Sequence, residues 1–179
     1  RIFVGHTNPT GTDVDSTFDS TASYPIVVKY NSAGSLDWIF TYESSFGAVH
    51  NVVEVKDRLI CGGVIVDAGT NKGFLLAISK AGEIQWQKVI GNTTEIVDVA
   101  GSEESLYAVG NHVSAGVAVI KTNAAGTEQW ATTLEYNDSS AAGTLVAQAC
   151  AFANPPTTSV DTYALAGDAT AEDNLYVVS

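Results

Sequence analysis

A chain of 179 residues with 45% apolar and 16% charged side chains can bury a sizeable core and is globular rather than disordered. Its 20 acidic residues outnumber 8 basic ones for a formal charge of −12, a field that repels a phosphate backbone with no Lys/Arg cluster to offset it, so nucleic acid is excluded as a partner. No run of about 18 apolar residues occurs, and no membrane span is expected.

The chain opens on a short apolar strand running into glycine, Ile2–Gly5. It contains no Met and no signal-type segment, so residues 1–179 read as a window of a longer polypeptide, with any targeting signal outside it. An acidic loop follows, from Thr12 to Asp19. Pro25–Tyr30 is then a nearly continuous β-branched run, the pattern of a strand buried on both faces. Asn31–Gly34 is a hairpin turn, with Gly34 free to take positive φ. The next strand alternates, which would place Leu36 and Trp38 on one face.

The same succession then recurs. Val49–Val55 and Leu59–Gly62 are strands, Gly73–Ile78 is another continuous apolar run, and Lys80–Gly82 is a turn before Ile84 and Trp86. Glu95–Val99, Leu106–Gly110, Gly116–Lys121, the turn Asn123–Gly126 and Trp130 repeat the series. Thr144–Cys150 and Tyr163–Gly167 begin it once more, and the chain ends in Asn174–Ser179. Helix competes only in the Ala-rich stretch Ala141–Ala153, where the place in the repeat favours strand.

Three segments align without gaps: Lys29–Trp38, Ala77–Trp86 and Lys121–Trp130. In each a glycine (Gly34, Gly82, Gly126) precedes a tryptophan by four residues, and Trp38, Trp86 and Trp130 are the chain's 3 tryptophans, spaced 48 and 44 residues apart. Antiparallel four-stranded units at this period predict an all-β fold, a β-propeller segment of about three and a half blades belonging to a larger propeller. The expected blades are 1–42 (partial), 43–91, 92–135 and 136–179 (partial) of one segment, 1–179. Each tryptophan is expected to be mostly buried, filling the gap between neighbouring blades.

At the level of Gly-x-x-x-Trp the chain resembles the tandem propeller repeat of secreted and surface proteins, which runs Lys-x-Asn/Asp-x-x-Gly-x-x-x-Trp. Lys29, Asn31, Lys121 and Asn123 match it. It is more distantly similar to the pyrroloquinoline-quinone-type repeat, from which it departs in lacking a Thr before the glycine. The resemblance implies a fold and carries no chemistry.

Candidate sites are sparse. Asp13, Asp15 and Asp19 form an acidic loop whose oxygens could converge on calcium, but Phe18 stands where such a loop needs glycine and no distal bidentate Glu follows. A solvated loop is the expectation, with no cofactor. His6, His50 and His112 fall at non-equivalent places without acidic or Cys neighbours at ligand spacing. Cys61 and Cys150 are expected as buried free thiols. No nucleophile elbow is present, and no catalytic residue is assigned. Asn92 and Asn137 begin glycosylation sequons between strands, which with the acidic, Ser/Thr-rich composition points to an extracellular or organelle-lumen location.

Two functions follow. One is a non-enzymatic protein-interaction platform or structural subunit of a larger assembly, packing along its terminal sheets on protein partners or further blades of the same polypeptide. The other is a piece of a propeller enzyme, of quinoprotein or hydrolase type, whose active site lies on other blades. An active propeller concentrates charge on its innermost strands, and here Glu54, Asp98 and Gln148 are expected at similar places there.

Overall fold

The structure is a computed structural model that describes residues 1–7, 19–114, 116–134, 145–153, 162–169 and 175–178. The described residues contain β-strands and turns and no helix. Eleven strands make three antiparallel sheets. The first holds β1 (Ile2–His6), β2 (Pro25–Tyr30) and β3 (Leu36–Thr41). The second is the meander β4 (Gly47–Val55), β5 (Arg58–Asp67), β6 (Thr70–Ser79) and β7 (Ile84–Ile90). The third repeats it with β8 (Thr93–Gly101), β9 (Ser105–His112), β10 (Val117–Asn123) and β11 (Glu128–Leu134). The backbone of β12 (Leu145–Ala153), β13 (Thr162–Ala169) and β14 (Leu175–Val178) forms a further antiparallel sheet. The Ala-rich stretch is therefore a strand where it is described.

The sheets pack in chain order through their first strands. β4 lies on β1 and β2, β8 on β4, β5 and β6, and β12 on β8 and β9. The continuous apolar runs are explained by this stacking. Along β6, Phe74, Leu76 and Ile78 face the first sheet, whereas Leu75 and Ala77 face the third. Along β10, Ala118 and Ile120 face the second sheet and Val117 and Val119 face β12. A period of two with both faces covered leaves no position for a polar side chain. β2 departs from that expectation: Val27 is buried against the second sheet, but Val28 and Tyr30 on the opposite face are only half-buried.

Pairing registers align the units residue by residue and correct two sequence-based expectations. Val49 and Asn51 pair with Gly63 and Gly62, so His50 is an extra residue bulged out of β4. Val97 is the corresponding bulge in β8, opposite Gly110, and Gln148 in β12, opposite Gly167. The glycine equivalent to Gly110 is thus Gly63, one residue beyond the Gly62 that the sequence suggested. A Cβ on Gly63 would stand 2.0 Å from the Ala48 carbonyl oxygen, and one on Gly110 2.1 Å from that of Glu95. Bulges bring the partner backbone close, and only glycine fits. Gly63→Ala is expected to lower stability by about 3 kcal/mol or more in urea denaturation, because backbone on both sides must move.

The second correction concerns the tryptophan strands. β3, β7 and β11 each carry a register shift just before the tryptophan, at Asp37, Gln85 and Gln129. A bulge resets side-chain alternation. Leu36 and Ile84 consequently do not share a buried face with Trp38 and Trp86 but are about half exposed, at 51% and 48%.

Candidate functional site

Two sets of residues join one sheet to the next. The first is built on the hairpin turns. Asn31 accepts the amides of Ala33 and Ser35 at 2.9 and 3.0 Å, Asn123 those of Ala125 and Thr127 at 3.0 and 2.9 Å, and Ser79 Oγ those of Ala81 and Glu83 at 3.2 Å. Short oxygen side chains favour such turns because they satisfy amides that the hairpin leaves unpaired. Gly34, Gly82 and Gly126 close the turns at φ of 80°, 88° and 74°.

A tryptophan from the preceding sheet then seats on the turn. The Trp38 indole N–H donates to the Lys80 carbonyl at 2.9 Å, and the Trp86 indole to the Ala124 carbonyl at 3.1 Å. Both carbonyls lie two residues before the turn glycine. The Trp38 ring covers Gly82, whose Cβ would meet it at 3.2 Å, and the Trp86 ring covers Gly126, where the distance would be 2.7 Å. Lys29 Nζ adds a second bond to the Lys80 carbonyl, and Arg58 one to that of Ala124. Trp130 occupies the same place on β11, edge-on to Tyr107. All three tryptophans are more buried than exposed, and the rings of Trp38 and Trp86 lie across the rim of a turn.

The second set is a polar row on β4, β8 and β9. Asp98, 9% exposed, accepts the amide of Val99 at 2.9 Å and, across the sheet boundary, that of Cys150 at 2.7 Å. Asn111 accepts the Ala147 amide at 2.9 Å and donates to Glu95 at 2.7 Å. Glu95 also faces His50 Nδ1 at 3.5 Å, reaching back to the second sheet. Sequence reasoning missed this chain of contacts because its members come from three sheets and sit beside bulges. The acids flank Ile96, the partner of Gly110, with Glu95 one residue before it and Asp98 two after, a spacing that the sequence alone does not mark.

The remaining candidates are dispersed. Glu54, Asp98 and Gln148 do not occupy equivalent places: Glu54 pairs opposite Leu59 near the end of β4, Asp98 opposite Val109, and Gln148 is the β12 bulge. Each bulge adds a residue, so counting along the sequence slips. Glu54 is exposed and paired with Lys80, which holds its carboxyl below the usual range through a hydrogen bond and charge attraction. Asp13 and Asp15 lie outside the described residues. Asp19 accepts the Thr21 hydroxyl at 2.7 Å and its amide at 2.8 Å, and these bonds hold its carboxyl below the ordinary value. His6 ends β1 and His112 ends β9, where its Nδ1 accepts the Ser114 amide at 3.2 Å. Asn92 is exposed between β7 and β8, whereas Asn137 lies outside the described residues. Among the described residues no group of three or more His, Cys, Asp or Glu side chains could hold a metal ion.

Cys61 and Cys150 are free thiols, Cys61 buried and Cys150 half-buried. Burial pushes the Cys61 thiol up to about 12, and burial together with the Asp98 carboxylate pushes Cys150 up as well. Neither is a thiolate nucleophile at neutral pH. Iodoacetamide at pH 8.5 should leave Cys61 unmodified in the native protein and alkylate it after denaturation in urea. Because the folded value lies above the unfolded one near 9, this thiol's contribution is constant below pH 9 and erodes folding stability as pH climbs from 9 towards 12.

No family model and no curated protein matches this chain. The geometry alone therefore defines what is present: stacked antiparallel sheets joined by repeated indole–turn contacts and by a buried carboxylate on backbone amides.

Proposed function

We propose that this chain is a propeller-type repeat segment acting as a non-enzymatic interaction platform or structural subunit of a larger assembly, in an extracellular or lumenal setting. The observation that carries this reading is the outer face of the first sheet. Register places Arg1, Phe3, Val28 and Tyr30 where the second sheet has Leu59, Cys61, Leu76 and Ile78 and the third has Leu106, Ala108, Ile120 and Thr122. All eight of those counterparts are buried under a neighbouring sheet. On the first sheet the same face is open, with Phe3 54% exposed. An apolar sheet face of this kind gains roughly 25 cal/mol per Å² when covered by protein. The polar row supports the same reading, since Asp98 and Asn111 tie one sheet to the next.

Sedimentation velocity across a hundredfold range of concentration tests the proposal. Concentration-dependent association that weakens in Phe3→Glu is expected. A chain that stays monomeric throughout, with a sharp unfolding transition, would refute it.

A further inference from the structure

The turn of the first sheet repeats the geometry that seats an indole in the other two. Asn31 organises it as Asn123 does its own turn, Gly34 has the same positive φ, and the Ser32 carbonyl stands two residues before the glycine, as those of Lys80 and Ala124 do. Above Gly34, however, a Cβ would meet none of the described residues within 4 Å, whereas above Gly82 and Gly126 it would meet a tryptophan ring. A groove of about 670 Å³ occupies that place, lined by Arg1, Phe3, Val28, Tyr30 and the turn 31–34. The four counterparts of this lining in the second sheet, Leu59, Cys61, Leu76 and Ile78, all belong to the core cluster against which Trp38 packs. The groove is thus the next step of an interface already present twice.

We propose that the groove over Gly34 is a binding seat for a tryptophan presented by another hairpin of this same repeat pattern. It rests on the interaction-platform reading and gives that reading its chemistry. The incoming indole lies flat on Gly34, donates its N–H to the Ser32 carbonyl, and brings an apolar strand face onto Phe3, Val28 and Tyr30. Phenylalanine or leucine in its place could fill the volume but would leave the carbonyl without its donor. Specificity for tryptophan follows from that single hydrogen bond in a partly desolvated seat.

The test uses the whole chain and a cyclised synthetic hairpin copying residues 74–90, which carries Trp86. Amide chemical shifts of Ala33 and Gly34 are followed by NMR during titration. Saturable shifts are expected at these residues, with affinity about tenfold weaker for a hairpin bearing Trp86→Ala, a difference readily resolved in such a titration. Gly34→Asn should weaken binding to a similar degree, because asparagine tolerates positive φ yet fills the seat. Phe3→Glu, at an exposed position, provides a second block that leaves folding intact, checked by an unchanged melting curve. Equal binding of the two hairpins, or shifts confined to other sheets, would overturn the seat. Self-association that persists unchanged in Gly34→Asn would overturn it too, while leaving the platform reading in place. A chain that remains monomeric yet binds the hairpin at Gly34 would support the seat even though the sedimentation test of the platform reading had failed.

Discussion

Gly126→Ala should lower the unfolding free energy by about 3 kcal/mol, as measured by urea denaturation. Two effects add. An alanine at φ 74° bears the left-handed penalty of about 1–2 kcal/mol. Its methyl carbon would also stand 2.7 Å from the Trp86 ring, which must then lift from the turn and lose both its stacking and its bond to the Ala124 carbonyl. Gly34→Ala is the internal control. The φ is nearly the same, but none of the described residues lies within 4 Å of the added methyl, so only the backbone term of about 1 kcal/mol is expected. Gly82→Ala should fall between them, since the Trp38 ring lies slightly farther away at 3.2 Å.

Asp98→Ala is expected to cost about 3 kcal/mol, because two backbone amides lose a charged acceptor in a largely desolvated place. Oδ1 serves Val99 within β8 and Oδ2 serves Cys150 on β12, so the loss falls on the junction between the third sheet and β12. Asp98→Asn keeps one carbonyl oxygen and turns a donor towards an amide that is itself a donor. It should recover about half the loss at most. Hydrogen exchange would locate the effect: the Cys150 amide should lose protection in both variants, while amides of β5 and β6 keep theirs. Uniform loss of protection across all sheets would contradict this assignment.

The unit was legible in the sequence and its internal register was not. Glycine and tryptophan four residues apart marked the hairpins because their chemistry is local: a turn needs positive φ, and an amphipathic ring needs an edge. The continuous runs Gly73–Ile78 and Gly116–Lys121 announced strands covered on both faces for the same reason. Bulges at His50, Val97 and Gln148 left no such mark, since any residue type can occupy them. Their trace was the glycine opposite, and at Gly62-Gly63 the sequence offered two candidates. Contacts between sheets were harder still. The tie from Asp98 to Cys150 spans 52 positions, and its donor side is a backbone amide, which every residue but proline carries. That the open face of β2 differs from β6 and β10 was equally hidden, because Pro25–Tyr30 reads as apolar as its counterparts.

The central claim is that the first sheet is joined to the second, and the second to the third, by an indole seated on a glycine turn. A double-mutant cycle on Trp86→Ala and Gly126→Ala tests it most directly. With Trp86 present, Gly126→Ala should cost about 3 kcal/mol; with Trp86 already removed, only the backbone term of about 1 kcal/mol should remain, a coupling near 2 kcal/mol. Strictly additive losses would contradict the account, for they would mean that ring and turn do not bear on one another.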